Sequence, residues 1–330
     1  MPSAPLAAVT GAGGFIGWAT VLRLLAAGWR VRRLLRRPPE VPFRGETVVG
    51  DLGDEEALRR LVAGADAVVH AAGINRAWRA AEYYDTNVDG AWRLGRAIRA
   101  ASPSARMVVV SSLAARVPWL SAYAASKADG EDALVEAAGG RAGWAVLRLG
   151  PVYGPADRKT LAVLLAANRA LMPVPDRPLA RLSLLNVADA AAAIAAACAA
   201  GAPRGVVWEV GEGAYSWAEA ARAVIRAVTG TGRVVPVAPP LLALGGVMTH
   251  PLGSGTLPLL VPGRAAELAY DDWVAGPIRQ PPSGLWQVRV SLDAGLYRAV
   301  EWFRAHGRLP PPVVLAASRQ RDRPSPQVPG

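Results

Sequence analysis

The sequence predicts an α/β fold in which a doubly wound parallel sheet is followed by a smaller C-terminal lobe. Three observations predict it. Short apolar runs alternate with amphipathic stretches through the first half, a glycine-rich turn follows the first apolar run directly, and after Leu149 the alternation loosens as proline rises.

The apolar runs give strands at Leu6 to Val9, Val31 to Leu35, Thr47 to Val49, Ala67 to Val69, Met107 to Val110 and Trp144 to Leu149. Helical spacing falls between them at Phe15 to Ala27, Glu55 to Val62, Thr86 to Ala101 and Tyr123 to Ala138, so the order is βαβα. Beyond Leu149, Arg181 to Ala199 reads as a return to the first domain, a strand and then an alanine-rich helix. Val206 to Val210 reads as a further strand and Trp217 to Val228 as a helix. The resulting division is a sheet domain over 1–155, rejoined by 181–211, a substrate lobe over 156–180 and 212–308, and a proline-rich, polar, disordered tail over 309–330.

Composition narrows the function classes. The 330 residues are 52% hydrophobic, enough to bury a large core, and the single cysteine, Cys198, excludes an internal disulfide. Three scattered histidines give no metal cluster, so metal-free chemistry is expected. The net charge is +11, but the only lysines are Lys127 and Lys159, and the arginine excess is spread along the chain without a recognition helix or stacking motif. Nucleic acid is therefore not the expected partner. The stretch Val234 to Gly263 lacks charge, yet its prolines break any spanning helix; it reads as an apolar wall or flap near a substrate pocket. With no export signature at the start, the expectation is a cytoplasmic protein without a membrane span.

"TGAGGFIG" follows the first strand and opens a helix, the context that a phosphate-binding turn of a Rossmann sheet requires. Gly11, Gly14 and Gly17 are spaced G-x-x-G-x-x-G, with Phe15 and Ile16 between the last two. One glycine serves the tight turn, one the approach of backbone N–H groups to a pyrophosphate, and one the packing of helix on sheet. An NAD-preferring sheet places an acid at the end of the second strand. Here Leu35 is followed by Arg36 and Arg37, and a guanidinium suits a 2′-phosphate, so NADP is favoured over NAD. The alternative is that these arginines form a solvated turn.

Tyr123 and Lys127 stand at i and i+4 on one helix face. Chance placement of 7 tyrosines among 330 residues makes that spacing from either lysine improbable. An ordinary phenol has a pKa of about 10, and lowering it by about 3 units takes roughly 4 kcal/mol of phenolate stabilisation, which a nearby ammonium in a low-dielectric cleft can supply. The pair therefore reads as an acid/base couple.

In order, "TGAGGFIG", "GDL" with Asp51, "HAAG" at His70 to Gly73, "NVDG" from Asn87, "VVVSS" ending in Ser112, "YAASK" from Tyr123 to Lys127 and "RLGPVYGP" from Arg148 resemble the extended short-chain dehydrogenase/reductase family, also called the NAD-dependent epimerase/dehydratase family. The resemblance covers roughly residues 6 to 211. It implies that Asp51 and Leu52 lie beside the adenine, that Ala71, Ala72 and Gly73 pass along the middle of the cofactor, and that Asn87 braces the active-site helix. It further implies that Ser112 orients the substrate oxygen, Tyr123 exchanges the proton, Lys127 holds the nicotinamide ribose, and the backbone at Gly150, Pro151 and Val152 meets the carboxamide.

Family dehydratases carry an extra acid and base after the serine, and "SSLAARVP" has neither. Family sugar epimerases have a longer insertion before the tyrosine, whereas Ser112 and Tyr123 are 11 residues apart. The leading expectation is thus an NAD(P)-dependent oxidoreductase acting on a carbonyl or alcohol of a small or moderately apolar substrate. The alternatives are a nucleotide-sugar epimerase with retained NAD and, in another class, a non-catalytic dinucleotide-binding sensor or assembly subunit. Relatives also make a homodimer an expectation.

Overall fold

Every residue of β1 (Leu6–Thr10) is buried, because the strand lies inside the sheet with a parallel neighbour on each side. The computed structural model describes residues 4–139, 143–242 and 263–311. From β1 the chain runs through α1 (Phe15–Ala26), β2 (Arg30–Leu35), β3 (Glu46–Val49), α2 (Glu55–Val62) and β4 (Ala67–His70). It continues through α3 (Ala80–Tyr84), a π-helical turn at Asp85–Asp89, α4 (Gly90–Ala101), β5 (Arg106–Ser112), α5 (Ala122–Ala137) and β6 (Trp144–Leu149). These strands, with β10 (Val206–Val210), form a seven-stranded parallel sheet in the order β10-β6-β5-β4-β1-β2-β3.

Helices cover both faces. One layer packs Val21 and Leu24 of α1 and Ala190 and Ile194 of α7 (Val187–Ala197) against Val9, Val69, Val108 and Leu147. The other packs Leu58 and Leu61 of α2, Leu94 and Ile98 of α4 and Leu134 of α5 against Ala8, Val68, Met107 and Val146. Each fully buried leucine contributes about 1.5–3 kcal/mol by leaving water. Strand order reverses between β1 and β4, so their carboxyl ends flank a crevice at the switch point.

The six expected strands and the first, second and fourth helices form close to their expected limits. The third differs: in place of one helix from Thr86, helicity starts at Ala80 and passes through the π-helical turn before α4. Asn87 is buried in that turn, and its side chain is taken up by long-range hydrogen bonds described below. Local spacing cannot register such a bond.

The later chain divides between two places. Helix α7 and strand β10 lie with the main sheet, but β9 (Arg181–Asn186) does not join it. It pairs with β7 (Val152–Tyr153), β11 (Glu212–Tyr215) and β13 (Asp272–Trp273) in a second sheet. Partner choice of a strand is a long-range property that the run "RLSLLN" does not encode. The remaining elements are α6 (Arg158–Ala167), β8 (Leu171–Pro175), α8 (Trp217–Val228), β12 (Arg233–Val237), α9 (Arg264–Ala269) and α10 (Leu292–Ala305). Leu164, Val224, Ile225, Leu296, Val300 and Phe303 make a separate core from α6, α8 and α10. Most of the charge-free stretch and of the expected tail lie outside the described residues.

Candidate functional site

The glycine turn and the loop after β4 meet at the switch point. Gly11 has φ +67, and a Cβ there would stand 2.4 Å from the carbonyl carbon of Ala71 and 2.5 Å from the amide of Ala72. At Gly17 a Cβ would stand 2.1 Å from the carbonyl oxygen of Gly11, so helix and turn touch backbone to backbone. Gly14 donates its N–H to Gly11 O at 2.9 Å and is the N-cap of α1. Side-chain oxygens cap α2, α5, α6, α7, α8 and α10, from Asp54, Ser121, Asp157, Asn186, Ser216 and Ser291. At α1 there is no side-chain cap and no acid in the first turn. Its positive end and amides therefore face the crevice mouth, an arrangement that fits a diphosphate. Phe15 is partly buried, with its ring 3.5 Å from a Cβ built on Gly154, and Ile16 packs on the core.

Around this cradle, Asp51 is exposed and accepts from Gly53 N at 2.8 Å, while Leu52 packs against Gly90. Arg32 is held by Glu46 and three carbonyls of the α2 end. Arg33 is buried, with its guanidinium 3.8 Å from the centre of the Phe43 ring. Arg36 and Arg37 at the end of β2 are exposed, and neither has an acidic partner among the described residues. Gly150 donates to Val210 O at 2.9 Å, Pro151 O accepts from Leu185 N at 3.1 Å, and Val152 pairs with Leu185. This loop joins the main sheet to the second one.

Ser121 caps α5 by accepting from Ala124 N at 3.0 Å, which sets the first turn where Tyr123 sits. Tyr123 packs on Tyr83 with the two rings tilted and their centres 5.9 Å apart. Tyr83 is itself fixed because its hydroxyl accepts from Ala77 N at 3.0 Å. Asn87 donates to Ser126 Oγ at 2.9 Å and to Ile74 O at 3.0 Å, and accepts from Ile74 N at 2.8 Å. The π-helical turn is thereby tied both to α5 and to the loop that continues from Gly73. Gly130 allows the close approach, since a Cβ there would lie 2.2 Å from Asn87 O.

Lys127 donates to Val110 O at 3.1 Å. The residue is partly accessible, yet burial of its ammonium lowers its pKa, with Glu131 one turn on pulling the other way. A Cβ on Gly73 would sit 3.9 Å from Lys127 Nζ, so the cradle loop and the lysine are neighbours. Ser112 ends β5 half-buried and accepts from Ala114 N at 3.2 Å, capping the 3-10 turn Leu113–Arg116. Ser111 faces the other way, buried against Glu131. His70 at the end of β4 is buried, with Nδ1 2.9 Å from Thr10 Oγ1, which also accepts from Ala72 N at 3.3 Å. Burial first, and the Lys127 charge second, push its pKa down to about 3, so it is neutral.

Sequence reasoning did not single out Glu131 with Ser111 and Arg148. Its signal was the spacing, since Glu131 continues the i, i+4 series of Tyr123 and Lys127. The polar residues between 177 and 189 are engaged within the chain. Arg177 pairs with Asp271, Arg181 donates to Pro178 and Ala180 carbonyls, Asn186 caps α7, and Asp189 accepts from Arg289 and Val290 amides. Trp208 and Trp286 are core residues, and Trp273 donates its indole N–H to Glu267 O. Trp119 is 76% exposed.

Residues 7–211 match the family described as NAD dependent epimerase/dehydratase. The chain belongs to that family. It is accordingly an NAD-dependent enzyme of the extended short-chain dehydrogenase/reductase type. Among relatives of this family, "Ceramide reductase" of Caulobacter vibrioides is 37% identical over 316 residues, covering 93% of this chain and 97% of its own length. The "2-alkyl-3-oxoalkanoate reductase" of Stenotrophomonas maltophilia is 32% identical over 182 residues, 49% of this chain and 54% of that protein. Among solved structures, MoeE5 in complex with UDP-glucose and NAD superposes with a TM-score of 0.70 at 22% identity, over 92% of this chain and 99% of that one. At that identity the likeness concerns the fold. Among the described residues no helix is long and apolar enough to cross a membrane.

Proposed function

We propose that the chain is a nicotinamide-dependent ketoreductase acting on a lipid-like ketone that carries a long alkyl chain, with NADPH preferred. The observation that carries this reading is the 37% identity with a ceramide reductase along nearly the full length of both chains. In this reading the Gly11 to Gly17 turn and the α1 amides hold the pyrophosphate, Arg36 meets the 2′-phosphate, and Lys127 and Asn87 order the nicotinamide side. The cofactor bound there supplies a hydride to the carbonyl carbon. Ser112 donates a hydrogen bond to the substrate oxygen, and Tyr123 gives it the phenolic proton as it becomes a hydroxyl. The ammonium of Lys127 favours the phenolate left behind.

Substrate polarity has its own support. A cavity of about 430 Å³ opens past the turn capped by Ser112; Val117, Trp119, Tyr270 and Ile278 give it apolar walls, and the charged groups that line it, Arg116, Glu209, Asp272 and Arg279, are ion-paired with one another. Ile278 is 98% exposed, a position that suits contact with an alkyl chain.

The test is to incubate the full chain with NADPH or NADH and, in separate reactions, a long-chain 3-keto lipid in micelles, a short ketone and a UDP-sugar, following the reduced nicotinamide by absorbance. Oxidation matched one to one by alcohol, greatest with the lipid, is the expected result. Sugar isomerisation without added cofactor would establish an epimerase instead, and dinucleotide binding without turnover on any of them would establish a sensor.

A further inference from the structure

Helix α5 places a third ionisable side chain on the face of Tyr123 and Lys127, and it is a buried acid. Glu131 is 5% exposed. Arg148 of β6 grips its carboxylate, with Nη2 2.7 Å from Oε2 and Nε 3.1 Å from both oxygens, and the Ser111 hydroxyl donates to Oε1. Ser111 is the chain neighbour of Val110, whose carbonyl takes the Lys127 ammonium. The end of β5 thus fixes the lysine and the acid together.

The surroundings of Lys127 leave this acid with a particular task. Val110 O is a neutral acceptor, His70 on β4 is neutral, and Asn87 on the π-helical turn is uncharged. Asp129 on the same helix is turned to Tyr84, which donates to it at 2.9 Å. Tyr83 packs on Tyr123, and the remaining charged group behind the lysine, Arg148, is a cation. Desolvation works against the charged amine, and the countercharge that opposes it is Glu131.

We infer that Glu131, clamped by Arg148 and Ser111, is a positioning residue that keeps Lys127 an ammonium turned toward the reacting phenol. The inference rests on the reading of Lys127 as the cation beside Tyr123. Bidentate binding by Arg148 and the Ser111 hydroxyl hold the carboxylate in one place, one helical turn from the lysine.

Because Lys127 and Lys159 are the only lysines, the full chain grown with isotope-labelled lysine gives two side-chain NMR signals, which Lys159→Arg assigns. Each is titrated without substrate. Glu131→Gln is expected to lower the Lys127 midpoint by about 1 pH unit or more. Asp129→Asn, which removes an acid of the same helix that is turned to Tyr84, is expected to leave it unchanged. An acid that merely braces the fold would leave the midpoint in place in Glu131→Gln, or shift it equally in both variants, and either result overturns the inference. If Glu131→Gln does not fold, the double variant Glu131→Gln/Arg148→Met, which leaves no buried charge unpaired, decides alone: a fall supports the inference, whereas no change or a rise overturns it. The Lys159 signal reports that the fold is intact. Failure of every keto lipid to turn over would remove the substrate reading and leave this titration unaffected.

Discussion

Replacing Gly11 with alanine separates the cofactor cradle from general backbone effects, because Gly28 offers a matched control. Both glycines have positive φ, +67 and +84, and alanine in that region costs about 1–2 kcal/mol at either position. At Gly28 a Cβ meets nothing within 4 Å, so that cost is the whole effect. At Gly11 the Cβ would lie 2.4 Å from Ala71 C and 2.5 Å from Ala72 N, both backbone atoms. Reaching ordinary contact requires the turn and the loop after β4 to part by about 1 Å, an overpacking strain of about 1–3 kcal/mol. Those two segments are the walls of the crevice, so the separation falls on the dinucleotide site. Gly11→Ala is expected to weaken dinucleotide binding by about 5- to 150-fold in titration calorimetry, the range that strain corresponds to. Gly28→Ala is expected to bind as wild type while melting a few degrees lower. Equal affinities for Gly11→Ala and wild type, with both folded, would refute the assignment of this crevice to the cofactor.

Three further outcomes follow from the same geometry. Tyr123→Phe is expected to lower kcat by about 10²–10⁴-fold, the usual contribution of a positioned acid, with dinucleotide affinity unchanged in the same calorimeter. Arg36→Ser is expected to raise the KM for NADPH about tenfold and leave that for NADH unaltered, and an equal effect on both would place the arginine away from the 2′-phosphate. His70 contributes a pH-dependent stability. Its folded pKa of about 3 lies below the ordinary 6.5, so between these values the unfolded chain binds more protons. Its share of stability is complete above about pH 6.5 and is lost as pH falls toward 3, at about 1.4 kcal/mol per unit. Urea melts of wild type against His70→Asn at pH 7 and 5 should show the wild type losing more stability on acidification, and parallel losses would refute it.

Much of the chain was legible before any coordinate. The strands β1, β4, β5 and β6 are largely apolar runs buried on both faces, and such runs stand out in any parallel sheet. The glycine turn and the Tyr123–Lys127 pair were legible because their chemistry depends on neighbours within one turn or one helix face. What stayed hidden depended on distant partners. The residues "RLSLLN" look like any strand, and only the pairing of β9 with β7, β11 and β13 places it outside the main sheet. The π-helical turn at Asp85–Asp89 accompanies the bonds of Asn87 to Ile74 and Ser126, 13 and 39 residues away.

The sequence by itself determined the alternating sheet, the glycine turn after β1 and the placement of Tyr123 and Lys127 one turn apart on α5, since each is written in local spacing that sterics and helix geometry enforce. Tertiary structure alone decided that Ser111 is buried against Glu131 while Ser112 stays half-buried, which arginines are spent on Glu46, Glu131 or Asp271, and that Glu131 lies buried one helical turn from Lys127. The reason is that desolvation and ion pairing act between groups far apart in the chain, and their strength is set by burial that no single segment contains.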